Sequence, residues 1–305
     1  MTPLIVRLPN HLGDACMSIA ALDALARGGQ RLTLVGRPWI GSLFEAYDWS
    51  TVSLGGGRRD HIRALRAAAG STTGAAGILF TNSFSTALEF RLAGIRATGY
   101  ARGGRSLLLS RAVQVHDADH MVEYYHRLAR SVVPAAGPVP PQLDLRVSEI
   151  ARRRADAALE KAGVAGDYVV LCPVAVGLHH GKVKAWEGFS RLNGELLSRG
   201  LRTVALPGPG ETAEVLRVLP RAAVLPESDV GTFAALLARA RAVVANDSGP
   251  GHLAAAVGAP LVSVFGVTEP EKTKPWGPQV RMVGSGAGWP TYDEVLCTVE
   301  ALLGA

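Results

Sequence analysis

Short apolar runs alternate with longer segments of helical period along the 305 residues. In the first half, residues 4–8, 31–35 and 77–80 read as buried strands, and 95–100 and 112–115 as shorter β-like runs. Residues 15–26, 39–47, 61–69 and 120–132 carry apolar positions at helical spacing. The second half repeats the pattern, with strands at 168–171, 202–205, 222–225, 243–245 and 261–264. Its helices are expected at 148–161, 185–197, 212–219, 230–240 and 292–303. Such alternation predicts a mainly parallel sheet covered on both faces, formed twice. The Pro-rich run 134–141 breaks the pattern and reads as a linker. The expected fold is therefore α/β, with two Rossmann-like doubly wound domains, 1–145 and 146–305, and a terminal helix able to pack back on the first.

The turns that end these strands carry the candidate chemistry. After the run 242–245, Asn246-Asp247-Ser248 offers N-cap groups, and Gly249-Pro250-Gly251 permits a tight turn with close backbone approach. His252 follows in a small apolar helix that Gly258-Ala259-Pro260 ends before the next strand. A helix N-terminus of this kind suits a diphosphate, through unpaired N–H groups and partial positive charge. An ordinary βαβ unit that binds nothing has the same local features. A second polar turn, Gly266-Val267-Thr268-Glu269-Pro270, ends the neighbouring strand, and open α/β sheets place ligands at such strand ends. Asp14, just after Gly13 at the end of the first strand, is either a catalytic carboxylate or a first-turn acid favoured by the helix dipole. Lys184 is either an anion ligand or an exposed lysine at a helix entry, and Lys182 is its alternative. Glu211 follows the turn Gly208-Pro209-Gly210 as an early helix acid, and His252 is either packed or supports the glycine turn. Residues 177–182 fall one short of a phosphate loop and lack its Ser or Thr. The adjacent His179-His180 finds no third ligand, so no metal site is expected.

Asp247-Ser248-Gly249-Pro250-x-His252 followed by Phe265-Gly266-x-Thr268-x-Pro270 resembles the C-terminal signature of glycosyltransferase family 9, the bacterial ADP-heptose:lipopolysaccharide heptosyltransferases. The segment from Pro9 to Ser18 resembles the family's first motif, and Lys184-x-Trp186 its Lys-x-Trp motif, with Glu187 where the family carries proline. Thr81-Asn82-Ser83-Phe84 is similar to an Asn-Ser-Phe segment of the lipopolysaccharide enzymes. Within the family, Pro9–Ser18 and Asn82–Phe84 are most similar to the second heptosyltransferase branch. The resemblance spans both halves and implies the GT-B architecture, two Rossmann-like domains facing a cleft. It further implies an inverting, metal-independent transfer of heptose from ADP-heptose to the inner core of lipopolysaccharide, with no cofactor. Asp14 would then be the base that takes the acceptor's proton, and Lys184 would meet the donor diphosphate and the charge that develops on it. Glu211 would accept from the ribose hydroxyls, while Asp247, Ser248, Gly249, His252 and Thr268 hold the nucleotide sugar. Asn10, Gly13, Asn82 and Ser83 would contact substrate. A free aspartate, with pKa about 3.9, is a weak base at neutral pH, so this role needs burial or late proton transfer.

Composition adjusts this picture. With 48% hydrophobic and 19% charged residues the chain is ordinary for an α/β enzyme, and no apolar run approaches the ~20 residues of a membrane span. Residues 1–150 hold 16 arginines, no lysine and 11 acids, whereas 151–305 hold 11 arginines, 5 lysines and 15 acids. A basic first half fits an anionic lipid-linked oligosaccharide acceptor, with peripheral contact at the inner membrane, and equally a biased solvated surface. No nucleic-acid signature accompanies the charge, so nucleic acid is not an expected partner. The N-terminus runs straight into a strand without a charged leader, and a cytoplasmic location is expected. Cys16, Cys172 and Cys297 lie far apart in apolar contexts and read as reduced core thiols. Two other readings stay open: a nucleotide-sugar 2-epimerase of the same architecture, and a non-catalytic nucleotide-sugar-binding protein. A dehydrogenase is disfavoured, because neither half has a clean G-x-G-x-x-G with a downstream acid.

Overall fold

The computed structural model describes residues 2–70, 74–116, 119–175, 178–179, 182–268 and 270–304, with the side chains of 178–179 and 182–183 excepted. The chain divides into two compact units, Met1–Pro140 and Pro141–Ala305. The first unit runs β1 (Thr2–Arg7), α1 (Leu12–Met17), α2 (Ile19–Arg27), β2 (Gln30–Gly36), α3 (Ile40–Leu43), β3 (Ser50–Ser53), α4 (Arg58–Ala69) and β4 (Ala76–Leu79). It continues with α5 (Phe84–Leu92), β5 (Arg96–Tyr100), a 3-10 turn at Arg105–Leu108, β6 (Arg111–Val113) and α6 (Met121–Val132). The second opens with α7 (Glu149–Lys161), β7 (Tyr168–Cys172), the short hairpin β8 (Leu178–His179) and β9 (Lys182–Val183), α8 (Phe189–Ser198) and β10 (Arg202–Ala205). Then come α9 (Thr212–Val218), β11 (Ala223–Val224), α10 (Val230–Arg239), β12 (Ala242–Asn246), α11 (Gly249–Ala256) and β13 (Leu261–Val264). It closes with α12 (Pro270–Thr273), β14 (Val280–Val283) and α13 (Tyr292–Leu303).

Each unit is built on one six-stranded sheet, in the orders β3-β2-β1-β4-β5-β6 and β11-β10-β7-β12-β13-β14. Every pairing within these two sheets is parallel. Counted within its own unit, each sheet has the strand order 3-2-1-4-5-6 of a doubly wound fold. Its topological switch lies between the first and fourth strands, β1 and β4 or β7 and β12. The central strands β7 and β12 are buried at every position, as a sheet covered on both faces requires. The second core joins Val169, Leu171, Val244, Val262 and Val264 to Phe189 and Leu192 of α8 and to Val295 and Val299 of α13. The terminal helix thus packs on its own unit's sheet. Full burial of one such side chain contributes about 1.5–3 kcal/mol.

Several elements depart from the sequence pattern. The helix expected at 15–26 begins earlier and is divided at the buried Ser18, whose hydroxyl donates to Ala15 O at 2.8 Å. Asp14 therefore lies inside the first turn of α1. The helix expected at 39–47 shrinks to four residues, after which Phe44, Tyr47 and Trp49 pack ring against ring. Strands β3 and β14 and helix α5 have no counterpart in the expected pattern. Of the cysteines, Cys16 and Cys172 are buried core thiols, whereas Cys297 is exposed. Burial, and then Glu211, push the Cys172 thiol up to about 12.

Candidate functional site

In the first unit the polar side chains gather at the sheet's switch point. Leu8 and the turn after it continue from β1, and Phe80 and Asn82 continue from β4, the strand hydrogen-bonded beside it. Arg7, buried at the end of β1, donates through Nη1 to Leu8 O and through Nη2 to Asn10 Oδ1 at 2.8 Å, which braces the turn leading to Gly13 and Asp14. Tyr125 Oη reaches 3.5 Å from Asp14 Oδ1. Burial raises the Asp14 pKa above its ordinary value, while His11 and the Tyr125 hydroxyl pull it back in part. The same burial, and the charge of Asp14, hold the Tyr125 phenol well above its usual pKa. Asn82 Oδ1 accepts from Arg105 Nη2 and from Tyr124 Oη, each at 3.1 Å. Ser83 caps α5, its oxygen accepting from Thr86 N at 3.1 Å.

In the second unit, β12 ends in Asn246, whose wholly buried amide ties two loops together. It accepts from Trp186 N at 2.9 Å and donates to Pro173 O at 2.8 Å. The bond from Trp186 N fixes the segment bearing Lys184 against the end of β12, just before Asp247. Lys184 Nζ lies 3.4 Å from Asp247 Oδ2, and the same oxygen accepts from Thr268 Oγ1 at 2.6 Å. One largely buried carboxylate thus gathers a cation and a hydroxyl from two other loops. Beside it α11 starts at Ser248 with no side-chain cap, since the Ser248 hydroxyl donates back to Asn246 O at 3.1 Å. An uncapped helix end offers free N–H groups and partial positive charge, which suit an anion. A Cβ at Gly251 would meet Asn246 O at 3.4 Å, an ordinary van der Waals contact, so close approach does not by itself require glycine there. His252 is buried in the first turn of α11. Glu211 folds over its own turn and accepts from Gly208 N at 2.9 Å.

The structure brings Lys184, Asp247, Ser248, Gly249, His252 and Thr268 to one end of the second sheet, and Asn10, Gly13, Asp14, Asn82 and Ser83 to one end of the first. The side chains of His179 and Lys182, and residues 177, 180 and 181, lie outside the described residues. Among the described residues no cluster of three or more His, Cys, Asp or Glu could hold a metal ion. An open cavity of about 1170 Å³ in the second unit is lined by Pro173, Val174, Ala185, Trp186, Gly266 and Trp289 among others. None of the sequence-predicted site residues lines it.

A family model, glycosyltransferase family 9 (heptosyltransferase), matches residues 59–300. The chain belongs to that family. The solved structure of E. coli ADP-heptose lipopolysaccharide heptosyltransferase II matches over 99% of this chain and 98% of its own, at 26% identity and a TM-score of 0.80. This family-9 chain has the same GT-B fold of two parallel sheets. E. coli heptosyltransferase WaaC with ADP shares the fold across 99% and 100% of the two chains, at 23% identity and a TM-score of 0.79. Lipopolysaccharide heptosyltransferase 3 of Escherichia coli is 31% identical over 148 residues, 45% of this chain and 42% of that one. The chain thus spans less than half the length of that curated relative.

Sequence reasoning missed Arg7, Arg105, Tyr124 and Tyr125, and read Asn246 as N-cap chemistry where the structure makes it a brace between two loops. Tandem tyrosines in the apolar face of α6 and an arginine inside the second half of Arg102-Gly103-Gly104-Arg105 were the available signals. Both look like ordinary core and surface until the fold brings them against Asp14 and Asn82.

Proposed function

We propose that this family-9 protein is an inverting heptosyltransferase that moves heptose from ADP-heptose to an anionic, lipid-linked oligosaccharide of the lipopolysaccharide inner core. The observation that carries the reading is the Lys184–Asp247–Thr268 cluster beside the uncapped start of α11. The departing group in this reaction is a nucleoside diphosphate. A fixed ammonium and helix N–H groups stabilise the charge that grows on it without rearranging. The ADP complex of the WaaC relative supports the choice of nucleotide. The second unit therefore holds the donor, with Glu211 at the ribose, and the first unit, residues 1–145 in the sequence-based division, receives the acceptor and supplies the base.

The acceptor hydroxyl oxygen attacks the anomeric carbon from the face opposite the diphosphate. The new C–O bond forms as the bond to the β-phosphate oxygen breaks, and that bonding pair leaves on ADP. The hydroxyl proton passes to Asp14. Burial, which raises the Asp14 pKa, moves this carboxylate toward the basicity the step needs. No step draws on a cofactor or a metal. The basic residues of the first half fit an acceptor presented at the inner, cytoplasmic face of the membrane, and no helix among the described residues is long and apolar enough to cross one.

Incubation of the purified protein with ADP-heptose, with and without a heptose-bearing deep-rough lipopolysaccharide acceptor, tests the reading. ADP release only when acceptor is present is the expected result. Conversion of the donor alone to an epimer, or binding of ADP-heptose without turnover in either mixture, would overturn it.

A further inference from the structure

Three elements of the first unit meet at Asn82, and the chemistry of its neighbours fixes which way its amide faces. Arg105 is fully buried in the 3-10 turn after β5. It donates through Nε to Tyr100 O at 3.0 Å, through Nη1 to Thr81 O, and through Nη2 to Asn82 Oδ1 at 3.1 Å. A guanidinium has donors and no acceptor, so only the oxygen of the carboxamide can face it. The Tyr124 hydroxyl, from α6, donates to the same oxygen at 3.1 Å. Both lone-pair directions of Oδ1 are thereby filled, and the NH2 group is turned to the opposite side. Among the described residues nothing accepts from that NH2. Of the turn's other polar side chains, Ser83 is occupied, its oxygen taking Thr86 N at 3.1 Å and lying 2.6 Å from Ser85 Oγ, while the Thr81 hydroxyl is buried without a partner among the described residues.

The surroundings also select the kind of partner. Arg102 adds a second cation near Tyr124, and with Arg105 it draws the Tyr124 phenol down against the effect of burial, which remains the larger influence. No carboxylate pairs with Asn82, Arg105 or Tyr124 among the described residues. Tyr124 and the neighbouring Tyr125, with ring centroids 5.6 Å apart, reach Asn82 and Asp14 respectively, so one helix turn sets both groups.

We propose that Asn82 is a donor-only specificity residue, which presents its side-chain NH2 to a lone-pair oxygen of the acceptor glycan, with Arg105 and Tyr124 as the residues that position it. The inference rests on the first unit receiving the acceptor in the function proposed above. A hydroxyl, phosphate or carboxylate oxygen satisfies such a donor. A group offering only hydrogens does not.

Asn82→Asp tests this, because the carboxylate is nearly isosteric, keeps Arg105 and Tyr124 as donors, and replaces the outward NH2 with an acceptor. The expected result is a KM for the acceptor raised about 10- to 100-fold, with the KM for ADP-heptose unchanged. The melting temperature should equal or exceed that of the wild type, since the bond from Arg105 becomes charge-assisted. Tyr124→Phe, which leaves Arg105 to hold the oxygen, should raise the acceptor KM only a few-fold. In the wild-type protein selectively labelled with 15N-asparagine, saturating acceptor should shift the Asn82 side-chain NH2 resonances. Wild-type transfer accompanied by an unchanged acceptor KM in Asn82→Asp, or by unmoved NH2 resonances, would overturn this inference alone. Failure of the wild type to transfer heptose would overturn the proposed function, and this inference with it.

Discussion

In the proposed reaction Asp14 and Lys184 divide the chemistry between them, and each makes a separate prediction. Burial raises the pKa of Asp14, so the fold holds its proton more tightly than the unfolded chain does. The ionised form is therefore a burden on the native state above the folded pKa, and that burden is absent below the unfolded value. Asp14→Asn removes it. The variant should lose about 10²- to 10⁴-fold in kcat, while its melting temperature at pH 7 equals or exceeds that of the wild type. A melting temperature well below wild type would show that the carboxylate is a structural anchor instead. Wild-type kcat should also fall as pH drops through the raised pKa, and a flat acid limb in the rate profile would count against Asp14 as the base. Lys184→Met removes the ammonium 3.4 Å from Asp247. Calorimetric titration with ADP should show binding weakened about 10- to 100-fold, as for loss of a charged hydrogen-bond donor. Unchanged ADP affinity would move the diphosphate away from Lys184.

At the level of elements, the ends of β13 and β14 frame the turn that carries Thr268. Gly284 has φ +85°, and a Cβ there would collide with the carbonyl of Phe265, the last residue before Gly266. Gly288, in the same exposed loop, meets nothing within 4 Å. Gly284→Ala should therefore destabilise the protein by about 1–3 kcal/mol and lower its melting temperature, whereas Gly288→Ala should leave it unchanged. Equal melting curves for the two variants would mean that this close approach is easily relieved. The same elements show where the sequence pattern is informative. β7 and β12 are buried on both faces, and their unbroken apolar runs announce them. β3 and β14 lie at sheet edges with mostly exposed or half-exposed residues, so hydrophobicity gives no signal for either. α5 has almost no apolar asymmetry, since Phe84 and Leu92 are exposed while Thr86 and Glu89 are buried, and its Ser83 cap was the sole local cue. The glycine turns were legible because backbone geometry demands particular residues there. The braces around them were not, because Arg105 and Tyr124 reach Asn82 across 23 and 42 residues of chain.

Over the whole molecule, charge is distributed unevenly between the halves. All the lysines lie beyond residue 150, while the first half holds 16 arginines against 11 acids. Arginine matches phosphate and carboxylate oxygens through a planar fork, which suits a polyanionic acceptor. Raising the salt from about 0.05 to 0.5 M shortens the screening length severalfold. The KM for the acceptor should rise over that range with little change in kcat, and a salt-independent KM would leave the arginine excess as plain surface. Family membership and the switch-point placement of Asp14 and Asp247 were both foreshadowed by short motifs, because each motif lies where a doubly wound sheet changes direction. The central claim is direct displacement at the anomeric carbon, with Asp14 taking the acceptor's proton. The anomeric configuration of the transferred heptose, read by NMR on the product of wild-type turnover with ADP-heptose and acceptor, tests it most directly. Inversion relative to the donor is the predicted result, and retention would contradict the account.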